Sequence, residues 1–239
     1  MHLFRVAAML VAAMLLLAGC AGRPQIPFGQ SATAPVKTIG LLTPGIPPTP
    51  EVVLASSVGR SFGLLGHLVD SAMQANRDSQ FTALLARQGF SAQNAFSASL
   101  TETLQAQGYT VVPVPTARPQ PAEFLKSYPT AAQPPVDAYL DLASDGYGYV
   151  AAGISGSTPY RPRFGVAAKL VSARDSTVLM QDSIIYNPIG AAGQVTTIPP
   201  DPAYQFSDFD ALIANPTQAV KGLESAIQQT AATLGKLLQ

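Results

Sequence analysis

Three aspartates spaced by four, Asp137, Asp141 and Asp145, are the first residues here whose types and spacing could do chemistry. A pair of carboxylates is the usual means of general acid and base work. They fall on or beside residues 136–143 (VDAYLDLA), whose alternation predicts a strand. Val136, Ala138, Leu140 and Leu142 share one face and Asp137, Tyr139, Asp141 and Ala143 the other, so Asp137 and Asp141 are expected on a solvent face. Asp145 belongs to the turn signal Ser144, Asp145, Gly146. A charged surface is the plainer expectation. A second constellation, Tyr147, Tyr149, Tyr160, Arg161 and Arg163, combines rings and guanidinium groups that can stack on a polymer or a small ligand. The same residues also suit packing along an edge strand. His67 is the one histidine beyond the first twenty residues, and no GxSxG elbow accompanies it. No spacing of His, Cys and carboxylates describes a metal site, and no cofactor is expected. The run GRSFGLLG at 59–66 is not a phosphate loop, since it fits neither GxGxxG nor GxxxxGK[ST].

The one cysteine, Cys20, closes an apolar run that begins at Val6, after a basic start at Arg5. Such a run is shorter than the about 20 apolar residues of a spanning helix. It has the parts of an export signal. Leu17, Ala18, Gly19 and Cys20 resemble the lipobox of bacterial lipoproteins. That resemblance implies cleavage before Cys20, a diacylglyceryl thioether on its sulfur and, in most Gram-negative cells, a further palmitate-type chain on its amine. Two or three chains anchor stably, because each buried methylene contributes ~0.8 kcal/mol. Ala21 is not the aspartate that retains lipoproteins in the inner membrane of enteric bacteria, so the resemblance implies the periplasmic face of the outer membrane. An ordinary cysteine beside a secretory cleavage site or an uncleaved anchor helix is the other reading.

Lysine plus arginine and aspartate plus glutamate are equal at 14 each, which offers no basic face for nucleic acid. Charged residues are 12% of the chain, about half the usual share of a soluble domain. So sparse a charge suits surfaces covered by a membrane or by partners.

The elements that must position these residues follow in order. Residues 1–19 read as signal peptide and 20–35, rich in Pro, Gly, Gln and Ser, as a lipidated tether. Residues 36–42 (VKTIGLL) predict a buried strand, and 43–50 (TPGIPPTP) a rigid proline-bound loop. The glycine-rich segment 57–75 carries Gly59, Phe62, Gly63 and Gly66. Glycines 59 and 63 lie one helical turn apart, a spacing that lets helices approach closely. The segment therefore reads as a softened helix on its own domain or as a contact with lipid or another subunit. Phe81, Leu84 and Leu85 form one helical face, as do Phe96, Leu100 and Leu104, with Asn94 a candidate cap and Gly108 a candidate stop. Residues 109–114 (YTVVPV) predict a strand that pairs with 36–42 across a helical crossover. Residues 116–135 are proline-rich loop with one turn of helix at 122–128. Residues 164–173 and 177–186 predict a hairpin about Arg174, Asp175 and Ser176. Residues 187–205 read as a long loop, Ser207 with Asp210 as a capping box, and a last helix starts near Pro216. Its stripe is Val220, Leu223, Ile227, Ala231, Leu234 and Leu238.

The fold class expected is α+β: one domain over 36–239, with a mixed or antiparallel sheet of about five strands packed by a helical crossover and a carboxyl-terminal helix. VKTIGLL, VDAYLDLA and FGVAAKLVSARDSTVLMQDS, in that order behind a lipobox, resemble the periplasmic α/β domain of the curli-secretion-channel lipoprotein and its uncharacterised relatives. That domain is itself similar to the amino-terminal domain of the Tol system's propeller protein. Pore-forming members insert two long hairpins, and no pair of ~10-residue alternating segments is present to serve. The resemblance thus implies a structural or accessory part in envelope assembly or export, as a homo-oligomer or with other envelope proteins; the lack of a catalytic constellation argues against an enzyme. The alternative is a binding module using the loop from Tyr147 to Arg163.

Overall fold

The computed structural model describes residues 23–29, 35–55, 63–129, 134–152, 158–189 and 193–239, with the backbone alone at 55 and 63–71. Seven strands form one mixed sheet, two more than expected. They are β1 (Thr38–Leu42), β2 (Glu51–Ala55), β3 (Thr110–Val114), β4 (Ala138–Ala152), β5 (Arg161–Ser172), β6 (Val178–Tyr186) and β7 (Thr196–Ile198). Among the described residues four α-helices accompany them: α1 (Gly63–Arg87), α2 (Ala92–Ala106), α3 (Phe209–Ala214) and α4 (Pro216–Leu237). The sheet runs β3-β1-β4-β5-β6-β7, with β2 also on β4.

Strand β1 is parallel to both β3 and β4, and the helices between β1 and β3 make the expected crossover. Strands β4, β5 and β6 are antiparallel, with Arg174 to Ser176 at the β5–β6 turn as expected. There Ser176 takes φ +60°, and Asp175 accepts from the Thr177 N–H at 3.1 Å. Strand β2 was not foreseen. It is parallel to the far half of β4, from Glu51↔Gly148 to Ala55↔Ala152.

Strand β4 corrects the expected turn at Ser144, Asp145 and Gly146. The chain does not reverse there; the register with β5 slips between Ala143 and Gly146, a bulge of one extra residue. Ser144 fastens it, its hydroxyl donating to the Gly165 carbonyl at 2.6 Å and accepting from the Gly146 N–H at 3.2 Å. The bulge changes the parity of the strand. Ala138, Leu140 and Leu142 enter the core before it, and Tyr147, Tyr149 and Ala151 after it. Gly148 has φ +147°, and a Cβ there would lie 1.9 Å from the Glu51 carbonyl oxygen. Only glycine lets β2 approach so closely.

The main core lies between this sheet face and the helices. Phe81, Leu84 and Leu85 of α1, Phe96, Leu100 and Leu104 of α2, and Leu223, Ile227, Ala231 and Leu234 of α4 are all buried in it. Val220 is only partly buried. Helix α2 is capped by Ser91, whose Oγ accepts from the Asn94 N–H; Asn94 itself is not the cap. Helix α3 is capped by Asp208 rather than Ser207, its Oδ1 accepting from the Ala211 N–H at 2.8 Å. Turns, not helix, occupy 122–128, and the expected loop 187–205 contains β7 and a 3-10 turn, Pro202–Tyr204.

The opposite sheet face is covered too, though by no regular element. The segment 115–129, here the strap, lies over it. Tyr139, Asp141, Ala143, Ala167 and Val171 are buried there. Residues 23–28, expected as free tether, dock beside the strap. Ile26 forms a reciprocal bridge with Gln181 of β6, and the Arg23 guanidinium donates to the Ala122 carbonyl at 2.5 Å.

Candidate functional site

The three aspartates have three different environments. Asp137 is exposed as expected, and its Oδ2 accepts from the Lys37 and Thr38 N–H groups at 2.9 and 2.8 Å, fixing the start of β1. Asp145 is also exposed and pairs with Arg163 at 3.1 Å, although it belongs to the bulge rather than a turn. Asp141 corrects the expectation outright, because it is wholly buried.

Asp141 accepts three contacts from the strap: an ion pair from Arg118 Nη2, the Leu125 N–H at 2.8 Å and the Tyr128 hydroxyl at 3.0 Å. The remaining guanidinium nitrogens of Arg118 are also engaged, Nε to the Thr43 carbonyl at 2.8 Å and Nη1 to the Glu123 carbonyl at 3.0 Å. A buried charge is tolerable only with such full partnering. Burial, then the neighbouring Asp141 charge, pushes the Tyr128 hydroxyl above its ordinary range. The Tyr128 ring stacks on Tyr139 with centroids 6.2 Å apart. Tyr139 in turn lies over Gly40, where a Cβ would sit 2.9 Å from its ring.

Across the ladder from Asp141 is Lys169. Its Nζ lies 4.5 Å from the centre of the Phe124 ring and 5.3 Å from that of Tyr128. Burial pulls its pKa down, opposed by the charge of Asp141 and reinforced by Arg118 and Arg23. Arg23 lies over the same Phe124 ring at 5.1 Å. The strap therefore presents one aromatic ring to two cations. Sequence reasoning missed Arg118, Phe124, Tyr128 and Lys169. The one available signal was the presence of Asp141 and Lys169 as the charged residues within the stretches 138–143 (AYLDLA) and 164–171 (FGVAAKLV).

The expected aromatic surface does not form. Tyr149 is buried and donates to the Ala219 carbonyl at 2.9 Å. It packs edge-on against Phe81 and Phe206, each with centroids 5.5 Å away. Tyr147 and Tyr160 are buried as well, and Arg161 opens β5 in partial burial. Tyr147 and Tyr149 fill the core because the bulge turned their parity inward, and Tyr160 is held there by its bridge to Phe206. Burial raises the hydroxyl pKa of all three tyrosines.

At the far end of β4 a smaller polar group gathers. Asp78 Oδ1 accepts from the Val52 N–H at 2.7 Å and from Gln74 Nε2 at 2.8 Å. The Glu51 carboxyl is raised by burial first and by the charge of Asp78 next, against the lowering effect of Arg163. Among the described residues no group of three or more His, Cys, Asp and Glu could hold a metal ion, and no helix is long and apolar enough to cross a membrane. Cys20, Gly59 and Phe62 lie outside the described residues, while Gly63, Gly66 and His67 fall in the first turns of α1.

No protein-family model matches the chain, and no curated protein matches it. Among solved structures it is similar to a PelC dodecamer from Paraburkholderia phytofirmans, with TM-score 0.40 and 12% identity over 91% of this chain and 99% of that one. It is also similar to protein XCC0632 of Xanthomonas campestris, from the DUF330 family, with TM-score 0.42 and 11% identity over 90% of this chain and 87% of that one.

Proposed function

We propose that this protein is a lipoprotein of the bacterial envelope, acylated at Cys20 and acting as a structural or accessory component of an assembly or export system. The observation that carries this reading is the sequence Leu17, Ala18, Gly19, Cys20, which places the sole cysteine where a lipobox requires it. The absence of aspartate at position 21 favours the periplasmic face of the outer membrane. The polar groups in the fold support a structural rather than a catalytic part: both oxygens of the buried Asp141 are spent on the strap. We therefore expect no turnover. The ligand-loop alternative loses its support, since Tyr147, Tyr149 and Tyr160 have no exposed ring face to stack on a ligand.

Assembly with copies of itself or with other envelope proteins is supported by the sparse charge and by Leu54 and Met73, 40% and 55% exposed, on either side of residues 56–62. The test is the native mass of the protein taken from membranes in mild detergent, beside a Cys20→Ser form. A discrete large complex, lost or released from membranes in the Cys20→Ser form, is the expected result. A particle of monomer mass would overturn the assembly reading, and an unmodified Cys20 by mass spectrometry would overturn the anchor.

A further inference from the structure

We infer that the strap face is the surface by which this domain lies on the bilayer, with Arg23, Lys126 and Lys169 set against anionic phospholipid headgroups. The inference rests on the acylation of Cys20 proposed above. Its starting point is the shortness of the leash. Arg23 is already part of the folded domain, held by the Ala122 carbonyl and the Phe124 ring, and Ile26 is bridged to β6. Only Ala21 and Gly22 separate it from the lipid-bearing residue. Three steps of 3.8 Å between successive Cα atoms bring Cys20 no farther than about 11 Å from Arg23. That is about one Debye length at ordinary ionic strength. A domain so leashed cannot sample orientations freely; the part of it around Arg23 stays at the headgroups.

The chemistry at that place suits an anionic surface. Arg23 and Lys126 are exposed, and Lys169 is half-buried beneath Phe124. No carboxylate pairs with any of the three within salt-bridge distance among the described residues. Asp141 is consumed by Arg118, which leaves Glu123 as the exposed acid on this stretch of the strap. Arginine and lysine next to a lipid anchor strengthen attachment to anionic leaflets, and an aromatic ring beside them favours the interface. The helical layer on the other side of the sheet then faces away from the membrane, free for partners.

The experiment uses the full lipidated protein in vesicles of phosphatidylcholine with and without phosphatidylglycerol, carrying a headgroup-located quencher. Acylation leaves Cys20 without a thiol, so a dye reports one site when attached after Ser127→Cys on the strap or Gln228→Cys on α4, both exposed positions. Quenching several-fold stronger at position 127 than at 228, with the excess reduced by salt and by Lys126→Glu, is the expected result. Equal quenching at the two positions, in vesicles that retain the protein, would overturn the orientation and leave the anchor standing. A dye that labels position 20 itself, with protein released from the vesicles, would overturn the anchor and the orientation together.

Discussion

The two faces of the sheet bury comparable side chains by different means. On the helical face Phe96 meets Phe164 with centroids 5.0 Å apart, and the fit is one of apolar surfaces. On the strap face a segment with no regular structure is held by a carboxylate, a guanidinium and three cation–ring contacts. A helix satisfies its own backbone and needs only a stripe to dock. An irregular segment must find partners for each buried polar group, so it needs side-chain acceptors planted in the sheet. Asp141 is such an acceptor, and it is the one fully buried carboxylate among the described residues.

The strongest way to break that contrast is Asp141→Ala, which leaves the Arg118 guanidinium, 6% exposed, without its counter-ion. Breaking a buried pair in this way costs about 3–5 kcal/mol. Urea unfolding should show that loss, and proteolysis should cut first within 115–129. Replacing both members, Arg118→Met with Asp141→Leu, should recover only part of the stability, because the Leu125 N–H and the Tyr128 hydroxyl still lose their acceptor. If Asp141→Ala unfolds at the wild-type midpoint, the strap is not held by its charge.

On the helical face the corresponding probe is steric. A Cβ at Gly222 of α4 would lie 2.2 Å from the Tyr149 hydroxyl oxygen. Gly222→Ala should therefore cost about 1–3 kcal/mol by overpacking. Adding Tyr149→Phe should return part of that loss, because the clashing atom is the hydroxyl oxygen. An additive double mutant would show that the two positions do not share the contact.

The smallest effect belongs to Glu51. Its folded-state pKa is raised above the ordinary 4.5 by burial first. As pH rises from 4.5 the unfolded chain ionises first, so stability falls until the folded carboxyl has ionised as well. Glu51→Gln should flatten this fall in the thermal midpoint and leave the profile below it unchanged. A slope identical to wild type would assign the dependence elsewhere.

The same contrast explains what could be read in the chain. The helical face was legible because Phe96, Leu100 and Leu104, and likewise Leu223, Ile227, Ala231 and Leu234, recur at helical spacing, and β5 and β6 because two apolar runs flank Arg174, Asp175 and Ser176. The strap face was not, since the partner of Asp141 lies 23 residues upstream in a proline-rich stretch without periodicity. The bulge in β4 was hidden behind a sequence, Ser144 to Gly146, that has every mark of a turn. Reading it as a turn sent Tyr147 and Tyr149 to the surface, whereas one extra residue keeps the strand going and sends them inward. Strand β2 was obscured because Val52 to Leu54 run directly into the glycine-rich segment. Arg23, Phe124 and Lys169 meet only after folding, and no spacing in the chain joins them beforehand.

Strand β3 forms one outer edge of the sheet, and it contains Pro113 opposite Leu41. The Thr110 N–H donates to the Lys37 carbonyl at 2.8 Å, so in a parallel ladder Thr110 and Val112 address β1 while Val111 and Pro113 address the outside. The proline thus removes a donor from the outward edge and none from the sheet. A foreign strand arriving there meets an interrupted row of donors and cannot zip up along it. That one ring guards this edge against runaway strand addition.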